Sequence, residues 1–340
     1  MTIFEDQPQA EREHPTILRV FVTGATGFIG LHLCRRLRER GDEVIALVRS
    51  PEKAKRLPVG TETFVGDLSV FADPGTVLPP CDVIVHLAGV VAAGSLDEYD
   101  AVNHRRVKDL VDCVRRQNFT PKRLLFASSL AAAGPSAPGK PSTEADALCP
   151  IEPYGRAKAL AEPVVRAAPF PTTAFRPPIV FGPGDEATLT FFKAAKSGVG
   201  MRIAGVPQEL SFVDVRDLVE AIVLMADDTR TASFVYFASH PDLMTVPEMW
   251  REVGRGLGKR VLVLPIPQFV LYAVMVLLTL LARVFRFKNQ LDEKQYDQMV
   301  APAFVCSSER LRTELGWAPR YPLSEALSNA AKGYREAGWL

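Results

Sequence analysis

Ile17-Leu18-Arg19-Val20-Phe21-Val22 runs into Thr23-Gly24-Ala25-Thr26-Gly27-Phe28-Ile29-Gly30, and a helical pattern begins at Phe28. Apolar strand, glycine turn and helix in that order make a cradle for a phosphate. Glycine has no Cβ, so the turn can be tight and a pyrophosphate can approach the backbone. The amides at the helix start then face the anion. A glycine motif alone is weak in a chain holding 23 glycines, but here the flanking strand and helix fit. Gly24, Thr26, Gly27, Phe28, Ile29 and Gly30 are therefore the expected contacts of a nucleotide.

Outward from the turn, the pattern alternates strand and helix. Phe28 to Arg40 carries Ile29, Leu33 and Leu37 at helical spacing and stops at Gly41, a natural C-cap. Val44 to Val48 is the second strand, and Arg49 follows it where such folds meet the adenosine ribose. A guanidinium there pairs with a 2′-phosphate, so NADP is favoured over NAD; Arg49 as a solvated residue stacking on adenine leaves NAD open. Thr63 to Val65 leads to Asp67-Leu68, where Asp67 either accepts from the adenine amino group or simply caps a helix. Val83 to Leu87 runs into Ala88-Gly89, whose small side chains let the backbone lie close to a dinucleotide. His86 inside that strand reads as a core residue. Tyr99 to Arg116 has one continuous helical pattern, with Asn103 near its start, and Leu124 to Ser129 is a fifth strand. This alternation implies a parallel, doubly wound α/β sheet with its site at the carboxyl ends of the strands.

Gly134 to Pro153 has no period and reads as a long loop, a candidate lid. It enters a helix carrying Tyr154 and Lys158, on which Pro163 is expected to disturb the later turns. Four residues apart, Tyr154 and Lys158 share a helix face. A neighbouring ammonium favours phenolate and is expected to lower the phenol's pKa. Ser129, at a strand's carboxyl end, can hold the same substrate oxygen. Tyr-x-x-x-Lys by itself is common; preceded by the glycine turn and the Ser-Ser strand end, it becomes specific.

Composition sets the limits. The 340 residues, 47% of them hydrophobic, suffice for a large core. Lys and Arg total 40 against 39 Asp and Glu, which leaves no general attraction for nucleic acid. Cys34, Cys81, Cys113, Cys149 and Cys306 are scattered, which argues against a zinc site or disulfide framework and for a reducing, cytoplasmic compartment. Residues 1–15, rich in Glu, Gln and Pro, read as a disordered arm.

The ordered set of glycine turn, Ser129, Tyr154 and Lys158 resembles the extended branch of the short-chain dehydrogenases/reductases, an epimerase-like group. Phe175-Arg176-Pro177-Pro178-Ile179-Val180-Phe181-Gly182-Pro183-Gly184 and Phe212-Val213-Asp214-Val215-Arg216-Asp217 resemble two further family segments, and Leu315-Gly316-Trp317-Ala318-Pro319 its closing turn. The resemblance implies a Rossmann-type domain over 16–182 with return segments near 211–238, a smaller substrate-binding domain mainly over 183–340, and a homodimer by analogy. It implies Tyr154 as general acid/base, Lys158 as tuner and ribose ligand, Ser129 rather than Ser128 as the positioning hydroxyl, and NADP or NAD held by Gly24, Thr26, Gly27, Phe28, Ile29, Gly30, Arg49, Asp67, Leu68, Leu87, Ala88, Gly89, Tyr154, Lys158, Pro177 and Ile179. No metal is expected.

The departures bear on substrate. Family members acting on nucleotide sugars usually carry Asn where Ile179 stands and Arg where Leu210 stands, and dehydratases carry Asp-Glu where Leu130-Ala131 stands. A diphosphate beside Ile and Leu finds neither charge nor hydrogen bonds. Arg49 resembles dihydroflavonol-type reductases and the C-terminal half 3β-hydroxysteroid-dehydrogenase-like proteins. The expectation is hydride transfer between a secondary alcohol and a ketone on a sterol-, terpenoid- or lipid-like substrate. The rivals are an epimerase with retained NAD and a non-catalytic nucleotide-binding scaffold.

Phe269 to Ala282 is continuously apolar and followed by Arg283, Arg286 and Lys288. It is shorter than the roughly 20 residues of a membrane span. A buried substrate-domain helix is the leading expectation, and peripheral contact with a membrane's inner face is the alternative.

Overall fold

The computed structural model describes residues 17–285 and 296–340, with side chains from 17 to 282 and from 296 onward. The 1–15 arm, Arg286 and Lys288 lie outside the described residues. Seven strands form one sheet: β1 (Arg19–Thr23), β2 (Glu43–Val48), β3 (Glu62–Val65), β4 (Val83–His86), β5 (Arg123–Ala127), β6 (Thr172–Arg176) and, later in the chain, Phe234–Phe237. The order across the sheet is Phe234–Phe237, β6, β5, β4, β1, β2, β3. Every neighbouring pair is parallel, with Val20 opposite both Val44 and Val83. Buried on both faces, such strands read as near-continuous apolar runs, as Val83–His86 and Leu124 to Ala127 do.

The helices Phe28–Arg40 and Val215–Asp227 cover one face through Leu33, Leu37, Leu218 and Ile222. Arg106–Arg115 and Pro153–Arg166 cover the other through Leu110, Val114, Ala161 and Val165. The chain leaves β1 towards β2 and β3, then returns to place β4 on β1's other side. That reversal opens a crevice at the carboxyl ends of β1 and β4. Gly24 sits there at φ +72°, and a Cβ on it would come within 2.7 Å of the Ala88 nitrogen. A side chain would close the crevice.

Beyond the sheet lie the short strands β7 (Ile179–Phe181), β8 (Val199–Ile203), β9 (Glu209–Leu210) and β10 (Phe212–Asp214), with β11 being Phe234–Phe237 of the main sheet. They are followed by β12 (Met244–Thr245), β13 (Leu262–Ile266) and β14 (Ala303–Phe304). β10 pairs with β7, β9 lies between β12 and β14, and β13 pairs with β8. A separate core of Phe181, Phe192, Met249, Trp250, Leu327 and Tyr334 holds this part together.

Three local readings need correction. The helix expected over Tyr99–Arg116 begins at Leu96, capped by Ser95, and is broken by a π turn over Ala101–Arg105. The wider turn lets Asn103 point inward, where its carboxamide donates to the Val90 carbonyl and accepts from the Val90 amide. The strand ending in Ser128-Ser129 stops at Ala127, because Ser129 caps the short helix Leu130–Ala133 instead. The helix Pro153–Arg166 contains Pro163, which has no amide hydrogen to give to the preceding turn. The loop after Gly134 is no free lid: the Ser136 amide donates to Ala303 and the Ser142 amide to Val305, tying it to the C-terminal segment.

Candidate active site

A groove of about 610 Å³ follows the crevice. Gly24, Thr26 and Gly27 on one side and Leu87, Ala88 and Gly89 on the other line its middle. Arg49, Lys53, Arg56 and Arg106 also line it, with Asp67, Leu68 and Glu98. The cradle at Gly24 and these cations fit a dinucleotide with an anionic adenosine half. Lys53 and Arg56 escape the sequence reading because they lie in and just after the short helix Pro51–Ala54, and Arg106 because it arrives from a distant helix. Asp67 lines the groove and also performs its plainer role: its Oδ1 accepts from the Ser69 amide at 2.7 Å, capping the helical turn Leu68–Ala72. Those bonds, with Arg106 and Arg49 nearby, hold its pKa below the usual value.

Phe28, Ile29, Gly30, Pro177, Tyr154 and Lys158, also expected to touch the cofactor, do not line the groove. Gly30 serves packing, since a Cβ there would collide with the Gly24 carbonyl. Pro177 accepts the Leu130 amide at 2.9 Å and so braces the turn that carries Ser129. Ile179 lines a second, adjoining cavity instead. His86 is fully buried, bonded to Thr23 at 2.8 Å, and burial pushes its pKa down to about 3, so it stays neutral.

Ser129, Tyr154 and Lys158 converge beside Gly89 rather than in the lining of the groove. Lys158 donates to the Ala127 carbonyl at 2.7 Å, and its Nζ lies 5.8 Å from the Tyr154 ring centre. It is 3% exposed, and burial brings its pKa down to about 7 against the pull of Glu162. Tyr154 moves the opposite way from the expectation. Burial drives the phenol up to about 12, with Ser129 opposing the rise and Glu152 and Tyr99 adding to it. An ammonium neighbour alone would lower the value, but the burial of the phenol is the largest influence on it here. A Cβ on Gly89 would meet both Asn103 Oδ1 and Lys158 Nζ, so the π turn, the groove and the lysine form one packed corner.

Two supports beneath the site were not read from sequence. Glu152 caps the helix Pro153–Arg166: its carboxylate accepts the amides of Tyr154, at 2.7 Å, and of Gly155. Glu-Pro before a helix is a start signal that could have found it. Glu162, one turn beyond Lys158, accepts from Ser128 at 2.6 Å and from Arg176 at 2.8 and 2.6 Å. Both partners of that ion pair are nearly inaccessible. Replacing Glu162 by Ala strands a buried guanidinium and is expected to cost about 3–5 kcal/mol in chemical unfolding, whereas exposed pairs such as Lys55–Glu52 contribute about 1 kcal/mol at most.

The second cavity, about 310 Å³, begins at Ser129 and Tyr154. Val91, Leu130, Pro178, Ile179, Leu210 and Phe304 give it apolar walls, and Glu152, Ser211 and Gln298 add polar groups. No Lys or Arg lines it among the described residues. No cluster of His, Cys, Asp and Glu among the described residues could hold a metal ion.

The family model for the NAD dependent epimerase/dehydratase family matches residues 20–235. The chain belongs to this family. Its members among the relatives are extended short-chain dehydrogenases/reductases, and the chain is an NAD(P)-dependent oxidoreductase of that type. It is 26% identical to a ceramide reductase of Caulobacter vibrioides, over 94% of this chain and 96% of the relative. It is 24% identical to a UDP-glucose 4-epimerase of Vibrio cholerae, again over 94% of this chain and 96% of the relative. The structure of MoeE5 in complex with UDP-glucose and NAD shares the fold, with a TM-score of 0.73 at 23% identity over 94% of this chain and 99% of that one.

Proposed function

We propose that this oxidoreductase uses NADP to interconvert a ketone and a secondary alcohol on a lipid-like substrate. The observation that carries the reading is the 310 Å³ cavity, walled by Ile179, Leu210 and Phe304, with no cation among the described residues to meet a diphosphate. A sugar nucleotide placed there would bury its charges unpaired. The ceramide reductase relative supports this choice, whereas the UDP-glucose 4-epimerase relative, which matches the chain over the same span, supports the rival.

When bound, the reduced nicotinamide supplies the hydride. The chain's residues do the rest. Ser129 donates a hydrogen bond to the carbonyl oxygen and fixes it, and Tyr154 transfers its phenolic proton to that oxygen as negative charge develops. Lys158, in its ammonium form, stabilises the phenolate left behind. The set of Arg49, Lys53, Arg56 and Arg106 suits a 2′-phosphate, which a lone Arg49 would suit less well.

Purified protein is expected to oxidise NADPH with long-chain or sterol ketones and to leave UDP-glucose unchanged. Formation of UDP-galactose without added cofactor, and no turnover of any ketone, would replace this reading by the retained-NAD epimerase. For the cofactor, Arg49→Asp combined with Arg56→Ala is expected to weaken NADPH binding roughly tenfold or more per guanidinium lost. NADH binding should hold or improve. An unchanged ratio of the two affinities refutes the 2′-phosphate assignment.

A further inference from the structure

The helix Gln268–Phe285 leaves most of its apolar surface bare, contrary to the expectation of a buried helix. Over its described side chains only Leu271, Met275 and Thr279 are buried, one narrow stripe recurring every fourth residue. Leu271 and Met275 pack on Ile203, with Ile266, Tyr296 and Met299 around them. Elsewhere Phe269 is 75% exposed, Leu277 55% and Leu280 51%. The ribbon leading into the helix extends the same surface. Leu262 stands opposite Val199 and Leu264 opposite Met201 across β13 and β8, and all four side chains are exposed. Contiguous apolar surface on this scale marks a docking face rather than scattered surface residues.

Charge identifies the partner. From Val253 to Leu291 the sequence contains Arg255, Lys259, Arg260, Arg283, Arg286 and Lys288 and neither Asp nor Glu. Arg255 is neutralised by Glu252 at 2.7 Å, but Lys259 and Arg260 stand exposed at the start of β13. The apolar face is thus bracketed in sequence by cations at both ends. A second copy meeting it through a two-fold contact would oppose like charges. Anionic lipid headgroups would complement them, each Lys or Arg adding attraction at the surface.

We propose that this face docks on an anionic lipid bilayer, with the helix lying flat in the interfacial layer. The buried stripe keeps the helix against its own domain, and among the described residues no helix is long and apolar enough to cross a membrane. The geometry also joins the docking face to the site. The short helix Tyr296–Val300 places Tyr296 edge-on against Tyr272 at 5.1 Å, while its Gln298 lines the substrate cavity. Resting on the function proposed above, this short helix is the wall past which a membrane-dissolved substrate enters.

Flotation with vesicles tests the docking independently of turnover. The full-length protein is expected to float with phosphatidylcholine vesicles containing about a quarter phosphatidylglycerol, more weakly with pure phosphatidylcholine, and less as salt rises from about 0.1 to 0.5 M. Phe269→Ser with Leu277→Ser should lower partitioning at least roughly tenfold, and leave NADPH oxidation with a short water-soluble ketone unchanged. Absence of binding to both vesicle types overturns the proposal, as does equal binding by the variant. A dimer split by the same double substitution, without vesicle binding, assigns the face to a second copy instead. Vesicle binding by a protein that reduces no ketone leaves the docking intact and removes the function proposed above.

Discussion

Replacing Tyr154 by Phe is expected to lower kcat for ketone reduction by about 10²–10⁴-fold while NADPH still binds. The substitution removes one oxygen from a ring that lines the smaller cavity, its centre 5.8 Å from Lys158 Nζ. The helix cap is made by the Tyr154 backbone amide and Glu152, so it survives the change. Affinity for the dinucleotide, set along Gly24, Ala88 and Arg49, should move little. A variant that binds NADPH and turns over ketone at the wild-type rate would remove Tyr154 from the chemistry. Loss of both binding and turnover would instead point to a collapsed groove.

What the sequence revealed about this site follows from how local each signal is. The turn from Thr23 to Gly30 was readable because strand, glycines and helix are contiguous, and Gly24 indeed occupies a left-handed conformation. Tyr154 and Lys158 were readable because helical spacing alone places them on one face. The electrostatic consequence was not, since the direction of the Tyr154 shift depends on how far the surrounding protein excludes water. Arg49 was visible at a strand end, while Arg106 reaches the same groove from a helix nearly sixty positions later, a juxtaposition no short window contains. The π turn that seats Asn103 disturbs a helical pattern by one residue, too little to alter its periodicity over a window. Hydropathy identified the run at Phe269, yet burial of a helix depends on what packs against it. Among the described residues Leu271 and Met275 pack on Ile203, while Phe269, Leu277 and Leu280 stay exposed.

Lys158 presents the conflict between stability and activity most directly, and Lys158→Met is expected to stabilise the fold while abolishing ketone reduction. The folded-state pKa of about 7 lies below the 10.5 of an ordinary lysine, with burial as the main cause. Between those two values the unfolded chain holds a proton that the folded chain has released, so stability rises with pH across that window by up to about 1.4 kcal/mol per pH unit. Below pH 7 both states are protonated and the destabilisation is present in full. Methionine removes that desolvation penalty and fills similar volume. It forfeits the bond to the Ala127 carbonyl, worth about 1 kcal/mol. Glu162 is not stranded, because Arg176 keeps both of its bonds. The net gain should appear as a Tm raised by roughly 5 °C at pH 6, narrowing as the pH is raised towards 9. An equal Tm for the two proteins at pH 6 would mean that Lys158 is not held against its own burial. The lysine would then keep its ammonium through neutral pH without a burial penalty, and its part beside Tyr154 would be judged from the loss of turnover in the variant alone.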